Sequence, residues 1–326
     1  MAAARLSERR WTWGGLVLAL LAAGLWGLAP VATKGALAGF TPEFIGVFRL
    51  AGAALLFRLL AGNGARWFVA DGWIWLAGTA LGVDFVLYNY GLQRTSANVA
   101  GLVINVELVS TIGLAVWLLN ERLTPHRILG SLVTLGGVLA VSLEGSTLSD
   151  LVADERAVGN LLVMSAGVAW SLFAVAQRRA AYRGAAFHRL TPIFTVAALT
   201  VSPTLLHRGA WRITTGLTAT TMLIILTTFC TGLVYFVYAR VQQRMDVSVL
   251  AILLSSIPVF SLLFASALLA EPLTLRILLG GAVIVAGIVV VATERHPVPA
   301  DTASTVEISA PGQRAWRAAS RLRKST

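Results

Sequence analysis

One cysteine, four histidines and fifteen acidic residues are all that 326 positions supply, and each scarcity closes off a class of function. Cys230 has no partner for a disulfide within the chain and, in an apolar stretch, reads as packing. His126, His188, His207 and His296 stand near the ends of apolar stretches or in the tail. None forms a helical His-Glu-x-x-His pair, so neither a metal centre nor a cofactor site is expected. The chain has no Asp-rich motif, no Ser/His dyad within an apolar run and no Gly-x-x-x-x-Gly-Lys loop. An intramembrane enzyme and an ATP-driven motor are thus without support. Charge is the largest shortage. Only 13% of residues are charged, about half the ~25% of an ordinary soluble domain, while 57% are hydrophobic and mean hydropathy is +0.77.

What the chain has in abundance is long apolar runs. Ten are visible: 13–34, 43–60, 72–92, 97–119, 126–143, 158–178, 188–206, 217–239, 247–269 and 275–293. Each is close to the ~20 residues a helix needs to cross ~30 Å of hydrocarbon; barrel strands would be half as long and alternate in polarity. The expected class is an all-α polytopic membrane protein with ten transmembrane helices in the lipid bilayer. The net charge of +11 is then a topology signal, and no nucleic-acid partner is expected. With a cytoplasmic N-terminus, 19 Lys and Arg fall on the inner side. Only six (Lys34, Arg94, Arg156, Arg208, Arg212 and Arg276) fall outside, and Arg49 lies within a span. This positive-inside bias predicts both termini in the cytoplasm of a bacterial-type cell (inner) membrane. Arg9-Arg10 resembles the start of a signal peptide, but the apolar run extends to Lys34 without a short core and cleavage site.

The chain also repeats itself. Asn120–Val141 lies over Ala270–Val291 without a gap, 150 positions apart, placing Glu121, Thr124, Gly130 and Gly137 on Glu271, Thr274, Gly280 and Gly287. Upstream, Tyr88 meets Tyr238, Gln93 meets Gln243 and Arg94 meets Arg244; a nearby register sets Trp26 on Trp170 and Lys34 on Arg178. With five spans per half, loop 92–97 falls outside and loop 242–247 inside, so the halves are two inverted five-helix repeats. The expected organisation is a cytoplasmic N-terminus (1–12), a first repeat (13–143), a polar connection (144–157), a second repeat (158–293) and a basic cytoplasmic tail (294–326). The tail reads either as a short helix on anionic lipid or as a disordered positive segment. An internal repeat in a multi-span protein is the usual build of a carrier, with the site where the repeats meet.

Several residues carry a likeness to a known group: Trp26-Gly27 with Lys34, Pro42 followed by Arg49, and Tyr90-Gly91-Leu92-Gln93-Arg94-Thr95-Ser96-Ala97. Leu119-Asn120-Glu121-Arg122-Leu123, Pro258-Val259-Phe260 and Glu271-Pro272-Leu273-Thr274 continue it. In their order and repetition, the chain resembles the EamA family of the drug/metabolite transporter superfamily over about 13–293. The resemblance implies ten helices in two inverted repeats and a central cavity open to one side at a time. It also implies a small-metabolite substrate, such as an amino acid or a cationic compound. One departure stands out. The family commonly has proline in the fourth span, kept in the second repeat as Pro258, whereas the first repeat has Leu108 beside Glu107; a kink is expected to be lost there.

Charges within spans are costly and usually turn inward. Arg49, Asp84 and Glu107 are such charges, ~9, ~12 and ~15 Å from the outer ends of their helices at ~1.5 Å per residue. None has a charged repeat partner, since Asp84 aligns with Val234 and Glu107 with Ile257. Two readings fit. A carboxylate binds a cationic group of the substrate or takes up a proton that drives exchange, desolvation favouring the neutral acid; or arginine and carboxylates form a structural lock. Tyr88, Tyr235, Tyr238, Asn105 and Ser255 suit a cavity wall or inter-helix hydrogen bonds. Trp26 and Trp170, too deep for an interfacial belt, suit a cavity wall or gate. Pro30 and Pro258 suit hinges, and Glu121 suits capping of the helix that follows it or pairing with a nearby arginine. The expected activity is that of a secondary transporter exporting an amino acid or related cationic or zwitterionic compound, with proton coupling. The alternative is a non-transporting membrane partner or sensor. Oligomeric state leaves no signal in the sequence, because glycine faces on the fifth and tenth spans fit packing within the fold or between protomers.

Overall fold

The computed structural model describes residues 13–95, 100, 103–142, 154–180, 186–207, 209–214, 216–269 and 274–294. The expectations for the N-terminus, for most of the inter-repeat connection, for Ser96 and Glu271 and for the basic tail fall outside them. Every regular element among the described residues is helical: α1 (Trp13–Ala36), α2 (Pro42–Ala61), α3 (Gly72–Leu92), α4 (Val106–Leu119), α5 (Pro125–Ser142), α6 (Asp154–Arg179) and α7 (Ala186–Val201). Then follow α8 (Leu217–Thr227), a π-helical segment (Thr228–Leu233), α9 (Val234–Gln242), α10 (Val247–Leu254), α11 (Ile257–Leu269) and α12 (Leu275–Ala292). Six continuous stretches are long and apolar enough to cross a bilayer: Gly14–Ala36, Pro42–Gly64, Ala157–Arg179, Ala186–Leu206, Leu217–Gln242 and Val247–Leu268. Three more apolar helices are shorter. With 21 residues, α3 has the length of a span, but Asp84 and Asn89 dilute its apolar character. The protein is a polytopic membrane protein.

Local chemistry sets several boundaries. Thr41 sits in extended conformation before Pro42 and accepts the Phe44 N–H at 3.3 Å, so a capping hydroxyl and a proline at the first helical position start α2. Thr124 does the same for α5, accepting the Arg127 N–H at 3.3 Å. Asn120, the one non-glycine residue with positive φ among those described (55°), ends α4.

The packing brings sequence-distant helices together. α3 packs most extensively on α6, α5 on α12 and α2 on α7; α4 packs on α6 and on α10, and α1 on α8, α9 and α11. Exchanging the first five apolar runs for the last five leaves this set of partners unchanged. Glycine permits a close approach between α5 and α12. A Cβ on Gly137 would lie 2.8 Å from the Gly280 carbonyl and 2.7 Å from the Ile284 nitrogen. This part of the glycine face is used inside the fold, whereas Gly136 meets nothing. Cys230 is buried among Ala36, Phe40, Leu223 and Leu226, as the packing reading requires.

The two ends of the bundle are defined by their contacts. At one end Thr41 Oγ1 donates to the Ala210 carbonyl, Thr214 N to the Gly39 carbonyl, and Thr95 Oγ1 to Asn160 Oδ1. At the other, Arg179 reaches the Leu118 carbonyl and lies over Trp73, Arg178 reaches the Gln242 carbonyl, and His188 contacts the Ala61 carbonyl.

Two turns interrupt the helical path inside apolar runs. Between Leu254 and Ile257 the chain makes a turn at Ser255-Ser256, and Pro258 follows in the first turn of α11. A break also precedes α4, at Ile104-Asn105, where Glu107 N bonds the Ile104 carbonyl (2.9 Å) and Leu108 N the Asn105 carbonyl (3.0 Å). A break therefore lies beside Leu108, where loss of a kink was expected. Proline is sufficient for a break but not necessary, because tight three-residue bonds can end one helical piece and begin the next.

Candidate functional site

The break in the fourth span places Glu107 in the first turn of α4, where the positive end of the helix dipole favours a carboxylate. Facing it, Gly167 of α6 lets that helix close on the break. A Cβ there would lie 2.9 Å from the Ile104 carbonyl and 3.1 Å from the Glu107 nitrogen. One turn further along each helix, hydroxyls bind the pair together. Ser171 Oγ lies 2.7 Å from Ser110 Oγ, accepts from Thr111 Oγ1 at 2.8 Å and lies 3.1 Å from the Glu107 carbonyl.

Beside this crossing lies a hollow lined by Glu107, Leu108 and Thr111 of α4, Trp170 of α6, Tyr238 of α9, Ala251 and Leu254 of α10, and Ile257 of α11. Its empty space is about 330 Å³ counting the mouth. Inside, however, there is room for only about one water. An amino-acid-sized solute therefore needs the surrounding helices to move apart.

Behind the hollow stands an aromatic box. The Trp26 ring meets Trp170 at 5.4 Å, Tyr235 at 5.3 Å and Tyr238 at 5.5 Å between centroids, the first two edge-on at 83° and 88°. Phe173 joins Trp170 at 5.2 Å, and Phe194 meets Tyr235 at 4.9 Å. Such edge-to-face pairs add ~0.5–1.5 kcal/mol each beyond the burial of their surface and hold the rings in place. The Tyr238 hydroxyl accepts from Gln242 Nε2 at 2.9 Å, and Gln242 Oε1 accepts from Gln177 at 3.0 Å.

Arg49 sits to one side. Its Nε donates to Thr231 Oγ1 at 3.0 Å, and its guanidinium lies 4.9 Å from the Phe85 ring centroid. Thr231 belongs to the π-helical segment, where its hydroxyl bonds the Leu226 carbonyl five residues back; such widened turns often occur at functional sites. Asp84 lies within electrostatic reach of both Arg49 and Glu107, so three of the expected charges share one interior. Yet no ion pair joins Arg49 to either carboxylate, and neither carboxylate accepts a hydrogen bond from the described residues. The arginine–carboxylate lock is absent from this conformation.

The other expected residues divide. Glu107, Trp170 and Tyr238 line the hollow; Trp26 and Tyr235 back it. Tyr88 is partly exposed and within reach of both carboxylates. Ser255 turns its hydroxyl to the Ala251 carbonyl of its own helix at 3.1 Å and does not line the hollow, nor does Asn105, which forms the break. Pro30 lies inside a continuous α1, and its missing N–H deprives the Trp26 carbonyl of its helical donor. Sequence reasoning missed Thr111, Ser171, Thr231 and Gln242. Ser171 carried a usable signal, since it follows the repeat-matched Trp170; the π-helical segment carried none.

A family model described as the EamA-like transporter family matches residues 13–143 and again 157–293. The chain belongs to the EamA-like transporter family. Similar proteins include an "Uncharacterized transporter" of Archaeoglobus fulgidus, 27% identical over 86% of this chain and 99% of its own length. YdfC of Bacillus subtilis, likewise described as an uncharacterized transporter, is 28% identical over 81% of this chain and 86% of its own. One from Synechocystis is 35% identical, but the match covers 36% of this chain and 38% of that protein. A solved crystal structure of a protein 22% identical covers 85% of this EamA-family chain and 96% of its own, with a TM-score of 0.73; that likeness concerns the fold alone.

Proposed function

We propose that this EamA-family protein is a secondary carrier, not an enzyme, that exports an amino acid or related cationic or zwitterionic compound across the inner membrane by alternating access coupled to protons. Its ten spans form two inverted five-helix repeats, 13–143 and 158–293, with both termini cytoplasmic. The helix-packing pattern supports this reading, because it is unchanged when the halves are exchanged. So do the end contacts, which join residues that the charge count assigns to one side of the membrane.

One observation carries the functional part: the Glu107 carboxylate, which accepts no hydrogen bond from the described residues, belongs to a residue lining a small hollow beside Trp170 and Tyr238. A carboxylate with aromatic faces suits an alkylammonium group, through charge and through cation–π attraction. The same carboxylate, poorly hydrated, is a proton acceptor that competes with that group. Asp84 is a second acid within its field, and Arg49 keeps the interior close to neutrality. Proteoliposome flux across a panel of amino acids and organic cations tests this. Solute-dependent flux driven by a pH gradient is expected in the parent protein. Flux that is absent for all solutes, or unchanged in both Glu107→Gln and Asp84→Asn, would refute it.

A further inference from the structure

At the end of the bundle that holds Arg178, Arg179 and Gln242, the N-terminus of α10 is held by the other half of the chain. Glu121, in the link between α4 and α5, turns both oxygens on it. Oε1 accepts from Val247 N at 2.7 Å; Oε2 accepts from Ser248 N at 3.0 Å and Ser248 Oγ at 2.6 Å. Arg127, only 2% exposed, lies 3.8 Å from Glu121, donates to Ser248 Oγ at 3.0 Å and pairs with Asp246. Asp246 is the N-cap residue of α10 yet makes no cap bond to that helix. The carboxylate that fulfils this role comes from Glu121 instead: it caps a helix of the other half and not, as expected, the helix that follows it, while its pairing with a nearby arginine is met by Arg127. From this anchor α10 runs directly to the hollow, supplying Ala251 and Leu254.

The second copy of this region differs in its charges. Glu271 is kept, but Ile277 stands where the first copy has Arg127, and Ser96 stands where the second half has Asp246. At the aligned positions the sequence of the second copy therefore lacks the cation and one of the two acids.

We propose that Glu121, Arg127 and Asp246 form a latch that keeps this end of the transport pathway shut and releases when α10 moves. The proposal rests on the alternating-access reading, in which this end faces the cytoplasm. Arg127 and Glu121 are buried while Asp246 is 39% exposed, and a buried ion pair is stable fully paired or fully hydrated and costly in between. The latch thus has two arrangements, as a gate requires. Because α10 carries both the latch and two walls of the hollow, its displacement couples opening to what the hollow holds.

The test is cysteine labelling of Ala251→Cys in a Cys230→Ala background, with a membrane-impermeant maleimide applied to either face of oriented vesicles. Arg127→Ile, which copies the second repeat, is expected to raise labelling from the latch side about tenfold by shifting the population toward the open state. Asp246→Asn is expected to raise it less. Should Arg127→Ile fail to give monodisperse protein, Asp246→Asn decides. Labelling unchanged in the folded variants, or raised only from the opposite face, overturns the latch. If the parent moves no solute but the labelling shift persists, the carrier reading falls and the latch stands.

Discussion

The crossing of α4 on α6 and the crossing of α11 on α1 occupy corresponding places in the two halves and carry opposite chemistry. Trp170-Ser171 aligns with Trp26-Gly27, and Ser110-Thr111 aligns with Phe260-Ser261. In the first crossing, three hydroxyls link the helices beside Glu107. In the second, Gly27 lies against Phe260, where a Cβ would meet the Phe260 Cβ at 2.5 Å and the Ser261 nitrogen at 2.9 Å. Both crossings depend on close approach, one through Gly167 and one through Gly27. What differs is polarity. The contrast teaches that shared helix packing leaves side chains free to diverge, so one crossing carries a charge while its counterpart carries none.

The strongest way to break this contrast is to remove the charge. Glu107→Gln is expected to lower flux about a hundredfold and abolish its dependence on the pH gradient, since a hydrogen bond to a charged group contributes ~1.5–3 kcal/mol. At the aligned position, Ile257→Val should cost only ~0.5–1.5 kcal/mol of stability and keep the pH dependence. Proteoliposome flux at several pH gradients compares the two. Next come the glycines. Gly167→Ala and Gly27→Ala should each destabilise by ~1–3 kcal/mol through overpacking, read as a lower Tm in detergent. Only Gly167→Ala should also disturb pH-dependent flux, because it pushes on the backbone that positions Glu107. Ser171→Gly, which copies the uncharged crossing, should cost ~1 kcal/mol for its lost hydrogen bonds and weaken apparent substrate affinity. The smallest effect serves as a control. Gly136→Ala should change stability by less than ~0.5 kcal/mol, while Gly137→Ala beside it should be clearly destabilising in the same Tm assay.

Much of the architecture was legible because lipid imposes a simple rule: each crossing needs a long apolar run. The repeat register paired Trp26 with Trp170, and the two rings meet in the structure. Charges inside spans pointed to Arg49, Asp84 and Glu107, which share one interior. The rest was hidden for physical reasons. The break at Ile104-Asn105 has no proline, being made by backbone bonds that many sequences can form. The π-helical segment Thr228–Leu233 reads as ordinary apolar helix. Ser255 looked like a wall residue from its pairing with Asn105, but a hydroxyl on a helix readily bonds the carbonyl four residues back. Glu121 was placed as a capping residue, yet which helix it caps is a property of the folded halves together.

The most direct test of the whole account is the sidedness of the repeats. Arg94 and Arg244 are aligned in sequence, and the inverted arrangement puts them on opposite faces of the membrane. Single cysteines at 94 and 244, in a Cys230→Ala background, should react with an impermeant maleimide from opposite sides of oriented vesicles. Labelling of both from the same side would contradict the account.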